Sequence, residues 1–257
     1  MPSDAYTIVV AAVLGAAVGS FLNVCILRLP ANESLVKPRS RCPKCGYQLA
    51  WYDNIPILSW VSLGGKCRRC RAGISFQYPL VEAVVAVLWG AAVWHYGVTL
   101  EALAGAVFGT ILLGIAITDA RHYLIPDEYT LGGGLLGLAL AIREGLPGLF
   151  EAVVGAAVGF FLLLIVAWAG EKAFGKEAMG GGDIKMMAVV GTFVGWKGVL
   201  LTVFGGALLG TLVFVPLTLR HRKLVPFGVF LAAAAAVTWL FGDRIIGWYL
   251  TYALGRS

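Results

Sequence analysis

Two aspartates, Asp119 and Asp183, stand where apolar stretches of this chain meet short polar loops. An acid deep in a membrane helix costs about 2.5 to 3.5 kcal/mol or more, so it faces protein or water and marks function. Asp183 closes the run Gly180-Gly181-Gly182 and opens directly into the apolar segment from Met186 to Trp196. Glycines, having no Cβ, let a second backbone come close, which suits a peptide substrate. Capping the following helix is the plainer role open to Asp183. Asp119 lies in Ile117-Thr118-Asp119-Ala120-Arg121-His122, ahead of Ile125-Pro126-Asp127. Pro126 stops the helix, Asp127 is placed to cap the next one, and Asp119 could pair with Arg121 or His122 as a solvated helix end. Two carboxylates brought close together cannot both ionise easily and share one proton. The ionised member then activates a water while the protonated one polarises a peptide carbonyl. The helix macrodipole assigns the charge to Asp183, at an N-terminus, and the proton to Asp119, at a C-terminus. The substrate must be extended at the cut, because a helix hides its carbonyls in hydrogen bonds.

A second set of chemically able residues is Cys42-Pro-Lys-Cys45 and Cys67-Arg-Arg-Cys70, two C-x2-C knuckles separated by 21 residues. Each knuckle offers two sulfurs from one tight turn, and the four together close a tetrahedral zinc shell, structural because it leaves no open position for water. Disulfides are the alternative, and a reducing cytoplasm argues against them. Cys25, inside the first apolar run, reads as a small filler rather than a nucleophile. Glu82 sits near the start of the second run, either as a first-turn acid favoured by the macrodipole or as a wall of the site. His95 and His122 join no metal or nucleophile cluster, and His221, in Arg220-His221-Arg222-Lys223, reads as part of a basic anchor. Serine-hydrolase, zinc-protease and P-loop motifs are absent from the sequence.

The elements that must position these groups are membrane helices. Of 257 residues, 59% are apolar and 13% charged, and mean hydropathy is +0.84, so most of the chain must be solvated by lipid. The first run, without a basic region ahead or a cleavage site behind, reads as a retained span. The apolar runs predict an all-α polytopic membrane protein with eight spans, at about 5–27, 79–96, 100–118, 129–142, 148–169, 184–196, 199–219 and 225–242. Several are short, and must tilt or stop part-way. Three parts follow: a first span over residues 1–27, a four-cysteine domain over 28–78, and a peptidase domain over 79–257. With the four-cysteine loop inside, sixteen of the twenty Lys and Arg face the cytoplasm, leaving Arg143, Lys197, Arg244 and Arg256 outside. The positive-inside rule then puts both termini outside, and Asp119 and Asp183 together on the cytoplasmic side. From Arg28 to Arg71 nine basic residues stand against Glu33 and Asp53, a balance that fits anionic lipid headgroups rather than nucleic acid.

The chain resembles the type IV prepilin peptidases within the GxGD class of membrane aspartyl proteases. The resemblance is carried by Gly19-Ser-Phe-Leu-Asn23 through Arg28-Leu-Pro30, by the cysteine domain with Asn54-Ile-Pro-Ile-Leu-Ser-Trp60, and by Gly64-Gly-Lys-Cys67-Arg-Arg-Cys70. It continues in Tyr78-Pro-Leu-Val-Glu82, Asp119 with Ile125-Pro126-Asp127, Gly180-Gly-Gly-Asp183-Ile-Lys185, and Pro226-Phe-Gly228. It implies Asp119 and Asp183 as the catalytic pair, and Cys42, Cys45, Cys67 and Cys70 as ligands of a structural Zn2+. It implies cytoplasmic cleavage, after a glycine, of basic leaders from type IV prepilin and type II secretion pseudopilin precursors, in the bacterial inner membrane. Methylation of the new N-terminal residue with S-adenosylmethionine also comes from the resemblance alone. No Gly-x-Gly-x-x-Gly fingerprint follows a strand, and the soluble loop is too short for a Rossmann-like domain, so the methyl-donor site has no residues assigned. Two other readings stand beside this one: a peptidase only, whose zinc domain binds substrate or partner, and a transporter with Asp119 and Asp183 as a cation site. Where many members have a second proline, this chain has Pro226-Phe-Gly-Val-Phe230.

Overall fold

A computed structural model describes residues 4–176, 179–218 and 226–253. Arg220, His221, Arg222 and Lys223 of the expected basic anchor, together with Arg256, lie outside the described residues. Helices dominate, as they must where no water is at hand to satisfy backbone N–H and C=O groups. They are α1 (Ala5–Arg28), α2 (Leu58–Ser62), α3 (Gln77–Tyr96), α4 (Leu100–His122), α5 (Gly133–Ala141), α6 (Gly145–Phe174), α7 (Gly181–Thr218) and α8 (Phe227–Trp248). Among the described residues, six helical stretches are long and apolar enough to cross a membrane: Ala5–Ala31, Gln77–Tyr96, Leu100–His122, Glu128–Phe174, Gly181–Val213 and Phe227–Tyr252. Helix length therefore does not by itself establish the eight expected spans. The difference arises because two of the six stretches are composite. Glu128–Phe174 is interrupted at Gly145, with φ 72°, and Gly181–Val213 at Gly195, with φ 66° and ψ 178°. Both backbone conformations are ones that glycine adopts readily.

The chain divides into two compact units, Met1–Thr110 and Ile111–Ser257. In the first, α1 and α3 pack at glycines: a Cβ at Gly19 would lie 2.8 Å from Glu82 Cα, and one at Gly15 would lie 2.7 Å from Trp89 Cβ. The four-cysteine segment and α2 are inserted between these two helices.

In the second unit the direction of each helix follows from which glycines meet which neighbours. Gly155 and Gly159 of α6 press against the backbone of Gly191 and Met187 respectively, so α6 and the first half of α7 run antiparallel. Gly133 and Gly137 of α5 face Val189 and Thr192, which makes α5 parallel to that half. Beyond Gly195, Gly198 meets Thr238, Gly206 meets Leu231 and Gly210 meets Phe227 and Phe230, so the second half of α7 runs antiparallel to α8. A side chain at Gly191 would enter the space of the Gly155 carbonyl, a backbone atom with no rotamer to escape into. Gly191→Ala should therefore cost about 1 to 3 kcal/mol or more through overpacking. A fall in the unfolding midpoint of the detergent-solubilised protein checks this, and an unchanged midpoint would refute the contact.

Candidate active site

The turn between α4 and α5 is short and bonded to itself. Tyr123 N–H donates to Asp119 O at 2.9 Å with Tyr123 at φ +52°, and Pro126 then redirects the chain into a π-helical turn, Glu128–Gly132. This geometry leaves Asp119 on the inner side of the last turn of α4, buried at 6% exposure, while Arg121 and His122 are exposed. The solvated helix end with a local ion pair is thus not what forms. Thr118, fully buried, sends its hydroxyl back to Gly114 O at 2.9 Å and leaves the carboxylate to other partners. The first-turn amides of Gly228 and Val229 in α8 face the Asp119 carboxylate. They close no full hydrogen bond on its Oδ2, which is buried without a partner. A Cβ at Gly228 would stand 2.7 Å from that same oxygen. Gly228→Ala should consequently displace the carboxylate and lower activity at least tenfold, with little loss of folded protein. Normal turnover by a correctly expressed variant would contradict that placement.

Asp183 is the third residue of α7, and its N–H donates to Gly180 O at 3.2 Å. It lies inside the first turn rather than at the cap, and its side chain is half-buried. Ile125 joins the two aspartates' surroundings: a Cβ at Gly182 would lie 3.1 Å from Ile125 Cβ, and one at Gly228 would lie 3.1 Å from Ile125 Cδ1. Asp127, expected only to cap the next helix, makes no such bond and instead holds Lys185 Nζ at 2.7 Å. That pair ties the α4–α5 turn to the start of α7. Asp119 and Asp183, sixty-four positions apart in sequence, are thereby brought to one end of the second unit, around Ile125. The simple division by helix ends loses its basis here. Asp119 terminates α4 but also faces the N-terminal amides of α8, so two opposed helix dipoles act on it. Such a pair titrates as a unit.

The cysteine knuckles form as their spacing implies. Cys42 N–H donates to Tyr47 O at 2.9 Å and Gly46 N–H to Cys42 O at 3.0 Å. The second knuckle repeats this, with Cys67 N–H to Ala72 O at 2.8 Å and Arg71 N–H to Cys67 O at 3.0 Å. The residue after each second cysteine is left-handed, Gly46 at φ 69° and Arg71 at φ 58°. The four sulfurs lie within 4.8 Å of one another, with Cys42 to Cys70 at 3.8 Å and Cys45 to Cys67 at 3.9 Å. Tetrahedral zinc with Zn–S bonds of about 2.3 Å needs sulfurs about 3.8 Å apart, so the donor set fits the metal. The amides of Cys45 and Lys44 hold the Cys42 thiol down at about 6, while, against the pull of the Ala72 amide, burial and the other three sulfurs push Cys70 up to about 11. Asp53, 8% exposed, ties the insert together by pairing with Arg68 Nε at 2.8 Å and accepting from the Tyr47 hydroxyl at 3.2 Å. Glu82 belongs to the first unit, where it is buried. Its carboxylate accepts the Ile57 N–H at 2.7 Å.

Comparison with known proteins agrees with this layout. Residues 13–96, which include the four cysteines and Glu82, match the bacterial peptidase A24 N-terminal domain, and residues 106–215, which include both aspartates, match the type IV leader peptidase family. The chain is 38% identical over 268 residues to a prepilin leader peptidase/N-methyltransferase of Pseudomonas aeruginosa, covering 93% of this chain and 92% of the relative. The chain belongs to the type IV leader peptidase family. A protein of the same description from Myxococcus xanthus is 42% identical over 214 residues, 83% of this chain, and the chain spans 64% of that relative's length. Another, from Xanthomonas campestris pv. campestris, is 36% identical over 270 residues, covering 95% and 94%. No solved structure matches. Sequence reasoning singled out the aspartates and the cysteines as candidates; it did not single out Ile125, which packs against Gly182 and Gly228, nor the Asp127–Lys185 tie. The signal for Gly228 was its place in Pro226-Phe-Gly228, at the start of an apolar run.

Proposed function

We propose that Asp119 and Asp183 are the catalytic pair with which this chain cuts leader peptides from its substrates. The protein is a prepilin leader peptidase and N-methyltransferase, the pair of activities that its relatives' names carry. The observation that supports the aspartates is the Ile125 contact, which touches Gly182 on one side and Gly228, against Asp119, on the other. With one proton between them, the ionised carboxylate takes a proton from water as the water attacks the scissile carbonyl carbon. The protonated one gives its proton to the carbonyl oxygen; the tetrahedral species then collapses as the carboxyl that took the water proton passes it to the leaving nitrogen and the other takes a proton back from the gem-diol, which breaks the C–N bond and restores the shared proton. Substrates are type IV prepilins and type II secretion pseudopilins, cut after a glycine at the cytoplasmic edge of the inner membrane.

A shared face for the two aspartates calls for eight crossings rather than six. If Glu128–Phe174 crossed once, the turn after α4 and the start of α7 would lie on opposite sides of the bilayer. Asp127 and Lys185 are instead 2.7 Å apart, which supports a chain that goes out and back between them. The reversal at Gly195 does the same for α7, whose second half returns along α8. The first half, from residue 181 to 194, is about 21 Å long and spans only part of the hydrocarbon. By the basic-residue bias this common face is cytoplasmic and both termini are outside.

Cys42, Cys45, Cys67 and Cys70 hold a structural Zn2+ that folds the segment 28–78, with residues 1–27 as first span and 79–257 as peptidase domain. S-adenosylmethionine would supply the methyl group for the amine freed by cleavage. Family membership disfavours the transporter reading. Mass spectrometry of a co-expressed prepilin tests the whole: loss of the leader with one added methyl group is expected. A product cleaved but unmethylated would reduce the function to peptidase only, and an intact precursor would refute it.

A further inference from the structure

The segment that leads from the first cysteine knuckle to the second passes through α2, and one hydrogen bond ties the residue just ahead of α2 to α3. Glu82, 7% exposed, accepts the Ile57 N–H at 2.7 Å. Ile57, just ahead of α2, has φ 62° and ψ −52°, a conformation that a β-branched residue adopts only when its surroundings impose it. Glu82 is the sixth of the twenty residues of α3. Twenty helical residues rise about 30 Å, the whole thickness of the hydrocarbon, so α3 has no length to spare and its first turns lie at the membrane surface. Helical side chains lean toward the N-terminus, so Glu82 holds Ile57 and α2 at that same level.

There α2 turns Trp60 onto Gly65 and onto the ring of Phe76, 5.7 Å between centroids, and turns Leu58 (68% exposed) and Val61 (63% exposed) outward. Phe76, which immediately precedes α3, is 62% exposed, and aromatic residues at this depth favour the headgroup layer. We propose that α2 is an interfacial anchor, with Leu58 and Val61 bedded in phospholipid of the leaflet that α3 enters. Lipid, rather than a leader peptide, is the occupant that the charge selects. Nine basic residues against two acidic ones between Arg28 and Arg71 attract anionic headgroups and repel a basic leader. The anchor stands on the geometry of α2 and α3 and is independent of the catalytic assignment.

The test uses the full chain in vesicles of phosphatidylcholine and phosphatidylglycerol, with p-benzoylphenylalanine replacing Leu58, Val61 or, as the exposed control on the first knuckle, Lys44. Each sample is irradiated in the presence of a prepilin. Positions 58 and 61 are expected to label phospholipid at least threefold more than position 44. Crosslinks from 58 and 61 to the prepilin, or lipid labelling no greater than at 44, would overturn the proposal. Leader cleavage measured in the same vesicles reports separately on the peptidase reading.

Discussion

Asp183→Asn is expected to abolish leader cleavage, lowering the rate by about 10²- to 10⁴-fold or more while the protein stays folded. Asparagine keeps the size and position of the side chain in the first turn of α7, so the Asp127–Lys185 tie and the Gly182–Ile125 contact should survive. What it removes is the acid that exchanges a proton with Asp119. Asp119→Asn should behave alike, because its buried, unpartnered Oδ2 is the acceptor that a water or a protonated neighbour would use. Since the two act as a unit, the double variant should be no slower than the worse single variant. Initial rates on a purified prepilin, normalised to enzyme recovered, measure all three. A single variant with more than a tenth of the parental rate would show that the residue is dispensable.

Removing the metal is the second large effect, and it should fall on the four-cysteine segment rather than on the unit that holds the aspartates. Structural zinc contributes on the order of 10 to 16 kcal/mol to small domains that fold around it. The segment 28–78 contains no regular helix longer than α2 and its two short hairpins close at isolated bridges, Arg41 with Gln48 and Lys66 with Gly73. Cys67→Ser, or a strong chelator, should therefore unfold this segment. The residues that surround Asp119 and Asp183, namely Ile125, Gly182 and Gly228, all belong to the other compact unit, so cleavage should persist within about tenfold. Zinc content and leader removal, followed on one preparation, report this. Loss of cleavage along with the metal would mean that the zinc segment is needed for cleavage too.

How much of this was legible in the sequence depends on how local the signal is. The cysteine knuckles were fully legible, because each ligand pair sits in one tight turn and two such pairs complete a tetrahedral thiolate shell. Asp119 and Asp183 were legible as costly acids at helix ends. Their meeting was not, because it depends on reversals at Gly145 and Gly195 and on Ile125 filling the space between Gly182 and Gly228. Glycine marks both reversals, yet among 34 glycines nothing in the sequence separates these from the packing glycines of α6 and α7. The expected breaks near residues 143–147 and 197–198 came from charges and apolar run lengths, and they fell within a few residues of the observed ones. The macrodipole argument for the charge on each aspartate missed α8, whose amides reach Asp119 from a helix more than a hundred residues away in sequence. Glu82 was readable as an acid near a helix start but not as the acceptor for Ile57, a contact set by the tertiary fold of the insert.

Catalysis by this pair requires residues 119 and 183 to share one pocket on one face of the membrane. Asp119→Cys and Asp183→Cys combined in one chain, with Cys25 and the zinc ligands intact, should be joined in intact inner-membrane vesicles by a short bifunctional thiol reagent added from the cytoplasmic side. An intramolecular crosslink that neither single variant gives is the expected result. Absence of the link, with the two cysteines labelled from opposite faces, would contradict the shared site.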